Sequence, residues 1–393
     1  MKKLLSMLLC FCLMVGVLAA CTGNSESSGN SSGNSSGSGS SEISASDTST
    51  DDNSSTSSDD DKKADEAYKA ALKAEFLKSA NEVVVNEESV TFKDATSSDG
   101  STITIAKNPA KVLNLYASFT TLWYEAGGSV IGCIGGSSSQ ELYKEYIGRD
   151  ITKDEGMTVV ATSSSGKKWN TEQIIALNPD LIICSTAMSG YSTIENPAKA
   201  AGIPVIAVSY NDFSDYLKWF KVFSNISGNA DLWDSIAMKS LDDVVEVLCE
   251  IPDGKAPRVF SMFANASTLE ANTSSTVVGG MITAMKATNI VDDWPNTDGA
   301  DRLTINLETL VAANPDIIIV QCHAGTDAAE AQVAEVYGSN PVWQSLNAVK
   351  NGKVYYLEKS LFHNKPNSRF AEAYQKLAEI LYPDVEFSFK SGK

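Results

Sequence analysis

The chain contains two histidines, His323 and His363, each just past an apolar run in its second half. A site for bare zinc or manganese usually needs three or four His and carboxylate ligands, so no directly held metal is expected. Either ring could still serve as an axial ligand to haem iron or touch a ferric chelate. Enzyme signatures are missing from the sequence: there is no G-x-S-x-G elbow, no H-E-x-x-H and no G-x-x-x-x-G-K-[ST] loop. A tethered hydrolase using Ser118, His323 and Asp327 as a Ser-His-Asp set is an alternative reading. It rests on residue types alone, and no catalytic residue or cofactor is expected.

The elements that must position such residues announce themselves by an internal repeat. Asn170 to Ile183 and Asn306 to Ile319 carry Asn, Glu, Ala, Asn, Pro and Asp at matching offsets. In each copy an Asn opens a helix with Glu in its first turn, Asn-Pro stops it, and a short aliphatic run follows. That run reads as a buried parallel strand. Two such units predict two similar Rossmann-like α/β lobes with parallel-rich sheets and a ligand cleft between them. Between the repeats, Asp212 to Ile251 has helical spacing and no strand-like run. A single α-helix from about Asn229 to Glu250 would be roughly 30 Å long and could join the lobes as a rigid connector.

Ligands in strand–helix alternation collect at the carboxyl ends of strands, where helix N-termini present free N–H groups. The rule selects Tyr116, Ala117, Ser118, Gly136, Ser137, Lys168, Trp169 and Thr186 in the first lobe. Across the cleft it selects Phe263, Asn272, His323 and His363. Glu172 and Glu308, one per repeat, should lie on a common outer face, where each favours its helix dipole.

The ends and composition set the setting. Met1-Lys2-Lys3, an apolar run and Leu18-Ala19-Ala20-Cys21 read as a secretory signal over 1–20. The stretch resembles a bacterial lipoprotein signal, which implies lipidation at Cys21 and anchoring to the cell membrane. Residues 21–63 are dominated by Ser, Gly, Asn, Thr and Asp, a composition expected to remain a disordered tether. With 393 residues and 43% hydrophobic content the remainder can hold two cores. A net charge of −18 argues against a nucleic-acid partner. Cys133, Cys184, Cys249 and Cys322 lack C-x-x-C spacing and are expected as free thiols. The remaining divisions are a leading helix and strands over 64–101, a first lobe over 102–211, the connecting region over 212–251 and a second lobe over 252–393.

The body resembles the substrate-binding proteins of ABC importers for iron-siderophore, haem or cobalamin, whose lobes are joined by one long helix. The resemblance rests on Asn108-Pro109-Ala110-Lys111-Val112, the two Asn-Pro-Asp units, Gly202-Ile203-Pro204-Val205, Asn340-Pro341-Val342-Trp343, and Ala348 to Tyr355. One departure is Ala284-Met285-Lys286-Ala287-Thr288-Asn289, where relatives usually carry a Gly pair before Asn. The resemblance implies an extracytoplasmic monomer that binds a metal chelate reversibly and delivers it to a permease and its ATPase. It also implies that Glu172 and Glu308 dock on basic residues of that permease.

Overall fold

The computed structural model describes residues 56–390 except Lys168 and Lys255. The expected signal, Cys21 and the tether as far as residue 55 lie outside the described residues. Helix α1 (Thr56–Asn81) starts inside the stretch expected to be tether. Its Ala- and Lys-rich body consists of good helix formers, so the helix propagates upstream once nucleated. Strands β1 (Val84–Val85), β2 (Ser89–Lys93) and β3 (Thr102–Ala106) form an antiparallel sheet in that order. Because β3 pairs along its whole length with β2, residue 102 falls within this leading sheet and not at the start of the first lobe.

The first lobe's sheet is all parallel, in the order β6-β5-β4-β7-β8. Its strands are β4 (Val112–Asn114), β5 (Gly132–Ile134), β6 (Thr158–Ala161), β7 (Leu181–Ser185) and β8 (Val205–Val208). Helices α2 (Ala117–Glu125), α3 (Ser137–Ile147), α4 (Thr171–Ala176) and α5 (Gly190–Ala200) make the crossovers that parallel neighbours require.

Next come α6 (Phe213–Ile226), a π-helical stretch Trp233–Met238 and α7 (Lys239–Cys249). The last two run on without a break, as the expected connector does. Its first turns are wider than α-helical, a form usually confined to single turns.

The second lobe contains β9 (Arg258–Ala264), β10 (Leu269–Asn272), α8 (Val277–Ala284), β11 (Thr288–Asn289), β12 (Arg302–Thr304), α9 (Leu307–Ala313) and β13 (Ile317–Cys322). They are followed by α10 (Thr326–Tyr337), α11 (Pro341–Gln344), α12 (Asn347–Lys350), β14 (Val354–Leu357), α13 (Lys359–Phe362) and α14 (Phe370–Leu381). Sheet order is β12-β10-β9-β13-β14, with β11 on the first half of β9. The parallel centre repeats the first lobe, whereas β10 and β12 form an antiparallel edge. Lys286 stands in the left-handed region at φ 60°. This is the turn where the sequence lacks the usual Gly, and a contact between the Lys286 ammonium and Asp253 at 2.6 Å accompanies the unfavourable backbone.

The repeat now has a physical account. Asn170 and Asn306 accept the N–H groups of Gln173 and Thr309 at 3.1 and 3.0 Å, capping α4 and α9. Asn178 and Asn314 turn left-handed at φ 46° and 40°, ending the helices before Pro. The next residue then closes the unit: Asp180 accepts the Lys111 N–H at 2.8 Å, and Asp316 accepts the Arg258 N–H at 2.9 Å. Each carboxylate thereby fastens one central strand to the start of its neighbour, setting Val112 opposite Leu181 and Val259 opposite Ile317.

One apolar core runs through both lobes. Phe370 at the head of α14 lies 4.9 Å from Phe213 and 5.8 Å from Tyr216 of α6, centroid to centroid. Helix α1 adds a second bridge. Phe76 meets Phe213 edge-on at 5.2 Å, Lys73 pairs with Asp242 of α7 at 2.6 Å, and Tyr68 lies under the Lys286 ammonium at 5.3 Å. Cys133, Cys184 and Cys322 are buried free thiols, and Cys249 is a half-buried one.

Candidate functional site

Strand β13 ends at Cys322, which places His323 at its carboxyl end, and α13 delivers His363 beside it. Nδ1 of His323 is 3.0 Å from Nε2 of His363, with the rings at 82°. Phe263, next to last in β9, lies parallel to the His363 ring at 5.6 Å and edge-on to His323 at 6.4 Å. Burial pushes His363 down to about 3, helped by His323 and the cations Lys359, Arg302 and Lys365. Burial and Lys359 lower His323 in the same direction. Both rings are therefore neutral at pH 7, and one of the facing nitrogens carries the shared proton.

Asn272 is fully buried in the same wall. Its Nδ2 donates to Gln321 Oε1 at 3.2 Å, while its Oδ1 accepts from Arg302 Nε at 3.1 Å. The Arg302 guanidinium lies 4.3 Å from the Phe263 ring centroid. Four of the expected residues, Phe263, Asn272, His323 and His363, are thus brought into one cluster, with Arg302 and Gln321 added.

On the first lobe, Tyr116 precedes α2 and its ring lies 4.5 Å from Phe119, which in turn lies 6.3 Å from Tyr210 and nearly parallel to it. Lys365 crosses from the second lobe. Its ammonium donates to the Tyr210 carbonyl and sits 4.8 Å from that ring centroid. Burial lowers Lys365 to about 8, with Asp215 opposing the shift. Ala117 and Ser118 form the first turn of α2. Gly136 and Ser137 open α3, and a Cβ on Gly136 would meet the Thr162 carbonyl oxygen at 2.2 Å, so only glycine fits there.

The other expected residues are engaged elsewhere. The Thr186 hydroxyl donates to the Val208 carbonyl at 3.2 Å, tying β7 to β8. Trp169 donates to the Ser163 carbonyl at 2.9 Å and lays its ring on Gly190, packing against the lobe's outer apolar cluster. Lys168 lies outside the described residues. The Ser-His-Asp alternative fails on geometry: His323 is bonded to His363, and among the described residues no hydrogen bond joins Ser118 to His323 or Asp327. Glu172 and Glu308 are exposed in the first turns of α4 and α9.

The lobes meet along the segment that follows β14. Tyr146 donates to the Ser360 carbonyl at 2.8 Å, Asn367 donates to the Thr121 hydroxyl at 3.2 Å, Glu125 accepts the Ser368 N–H at 3.2 Å, and Arg369 pairs with Glu145 at 2.8 Å. A cavity of about 320 Å³ opens beside these contacts, between α3 (Glu141, Glu145) and the α10 and α13 starts (Thr326, Lys359). A larger cavity of about 490 Å³ lies at the amino ends of the second-lobe strands, beside Asp316 and Lys353. The first lies at carboxyl strand ends, but neither cavity is lined by Phe263, Asn272, Arg302, His323 or His363, so the candidate site rests on that cluster and not on a cavity.

Tyr210, just past β8, could have been found by the strand-end rule. Arg302 could not. It begins β12, whose antiparallel neighbour β10 brings Asn272 opposite it, and no local signal reveals that pairing.

Residues 130–361 match the family described as periplasmic binding protein. An ABC transporter substrate-binding lipoprotein of Bacillus subtilis (strain 168), YvrC, is 27% identical over 303 residues, covering 75% of this chain and 86% of the relative. The Fe(3+)-citrate-binding protein YfmC of the same organism is 24% identical over 254 residues, covering 64% and 74%. An ABC transporter substrate-binding protein from Listeria monocytogenes EGD-e superposes with a TM-score of 0.58 at 19% identity, over 70% of this chain and 100% of that one.

Proposed function

This chain belongs to the periplasmic binding protein family, and from that premise we propose that its ligand is an iron chelate. Ferric siderophore is the first choice, with haem or a corrinoid as the other members of the class. The protein is a solute-binding component of an ABC importer that works outside the cytoplasm with a permease and ATPase. It is not an enzyme, and the chelate is cargo, not cofactor. The observation that carries the ligand reading is the half-buried pair His323 and His363 beside the exposed Arg302 in the second-lobe wall. Imidazole nitrogens and a cation suit an oxygen-rich metal chelate. The binding set proposed is Tyr116, Ala117, Ser118, Gly136, Ser137, Phe263, Asn272, His323 and His363. Lys168, Trp169 and Thr186 would act only at the rim.

Anchoring by lipid at Cys21, a monomeric state and docking through Glu172 and Glu308 belong to the same reading. The test is titration of the protein with ferric hydroxamates, ferric catecholates, ferric citrate, haem and cobalamin, followed by tryptophan emission. Saturable binding of one of them is expected. Binding of a sugar or peptide and none of these would overturn the reading.

A further inference from the structure

Arg302 sits at one end of a buried chain of amides whose direction can be read without ambiguity. At the far end the Phe362 carbonyl can only accept, and Gln321 Nε2 donates to it at 2.6 Å. This turns Gln321 Oε1 toward Asn272, which donates from Nδ2 at 3.2 Å. Asn272 Oδ1 must then accept, and it takes the Nε–H of Arg302 at 3.1 Å. Gln321 and Asn272 are 4% and 0% exposed, so water does not compete for either amide. Three strands and α13 contribute, and the chain ends by holding one edge of one guanidinium.

The other edge is left open. Among the described residues, neither terminal nitrogen of Arg302 has a hydrogen bond to a carboxylate, and none makes an ion pair with it. Glu270 and Asp301 act on it only through their field. Phe263 shields the guanidinium on one side, while Lys365 and His363 add no negative charge. A guanidinium does not shed its proton, so a neutral ligand closing over it would strip water from a charge and return only dipolar oxygen acceptors, with no net charge to offset the loss. An anionic ligand would complete the pair, and the rigid hold on Nε leaves the two-nitrogen edge set for oxygen anions.

We infer that Asn272 and Gln321 are positioning residues that aim Arg302 as a charge selector, so that this protein prefers chelates of net negative charge over neutral ones. The inference rests on the iron-chelate reading and narrows it: citrate-type and catecholate-type ferric complexes and haem carboxylates are favoured over uncharged ferric trihydroxamates.

The test uses the full chain in detergent, titrated with ferric citrate, a ferric tricatecholate and a neutral ferric trihydroxamate at low and high salt. Wild type should bind an anionic complex at least about tenfold more tightly than the neutral one, with the advantage shrinking as salt rises. Arg302→Ala should erase that advantage, and a thermal melt of the same sample measures separately the cost of leaving the buried Asn272 oxygen without its donor. Arg302→Lys should keep part of the charge effect and lose the fixed aim. Asn272→Asp tests positioning with Arg302 still present: the new carboxylate would pair with the guanidinium and abolish the preference, a change that a purely structural role would not produce. Equal or tighter wild-type binding of the neutral complex, or a preference that survives Arg302→Ala, overturns the inference and leaves the chelate reading standing. Failure of all three chelates, and of haem and cobalamin titrated alongside them, removes both.

Discussion

Nδ1 of His323 faces Nε2 of His363 across 3.0 Å, and a stacked Phe263 covers the second ring. The pair has one bridging proton and no room for two positive charges. Because both rings titrate below their usual range, the folded state binds fewer protons than the unfolded chain between about 3 and the ordinary histidine value. Stability from this pair is therefore complete above about pH 6.5 and declines as pH falls below it. For His363 the loss between pH 7.5 and 5.5 should be on the order of 1 kcal/mol. Urea unfolding at both pH values checks this. His363→Gln should show a smaller pH dependence than wild type, and an identical dependence in the two proteins would refute the assignment.

Gly136→Ala puts a methyl group 2.2 Å from the Thr162 carbonyl oxygen, a backbone atom that cannot swing aside. A loss of about 1–3 kcal/mol is expected from the forced shift. Because Gly136 also starts α3 at the cleft, chelate affinity should fall along with the melting temperature. Thermal melts and tryptophan titrations on one preparation measure both. A melting temperature within a degree of wild type would contradict the close approach.

Asp180 and Asp316 fasten equivalent strands in the two lobes. Replacing either with Ala removes the acceptor from a backbone N–H and should cost about 0.5–1.5 kcal/mol. Asn retains an acceptor oxygen and should recover most of that. Comparison of Ala and Asn variants by denaturant titration decides the point. Equal losses for the two substitutions would assign the effect to charge and not to the hydrogen bond.

Glu172 and Glu308 each follow a capping Asn and are exposed. Under the proposed docking role, replacing both with Ala should leave chelate affinity and melting behaviour almost unchanged while uptake fails. Single replacements should weaken uptake less, and Lys should be worse than Ala because it repels the permease's basic residues. Transport assays with matched surface display give the answer. Wild-type uptake by the double variant would return both residues to helix-end stabilisers.

Much of the architecture was legible from the residues alone because its signals act over a few positions. Asn caps, Asn-Pro stops and aliphatic runs marked both helix–strand units, and the absence of Gly and Pro between Asn229 and Glu250 marked the connector. Even a local break could mislead: Lys286 occupies a left-handed position that glycine normally fills, and its distant pairing with Asp253 accompanies the exception. The composition that marked the tether did not show that the helix begins at Thr56.

The convergence of side chains needed the tertiary structure. Asn272 and Arg302 are brought opposite each other by the antiparallel pairing of β10 with β12, and Gln321 reaches them from β13 across β9. Lys365 meets Tyr210 only because the segment after α13 folds back onto the first lobe. Sheet order and register choose among many pairings that local propensity leaves equal in energy, so strand identity could be read residue by residue while the charge selector could not.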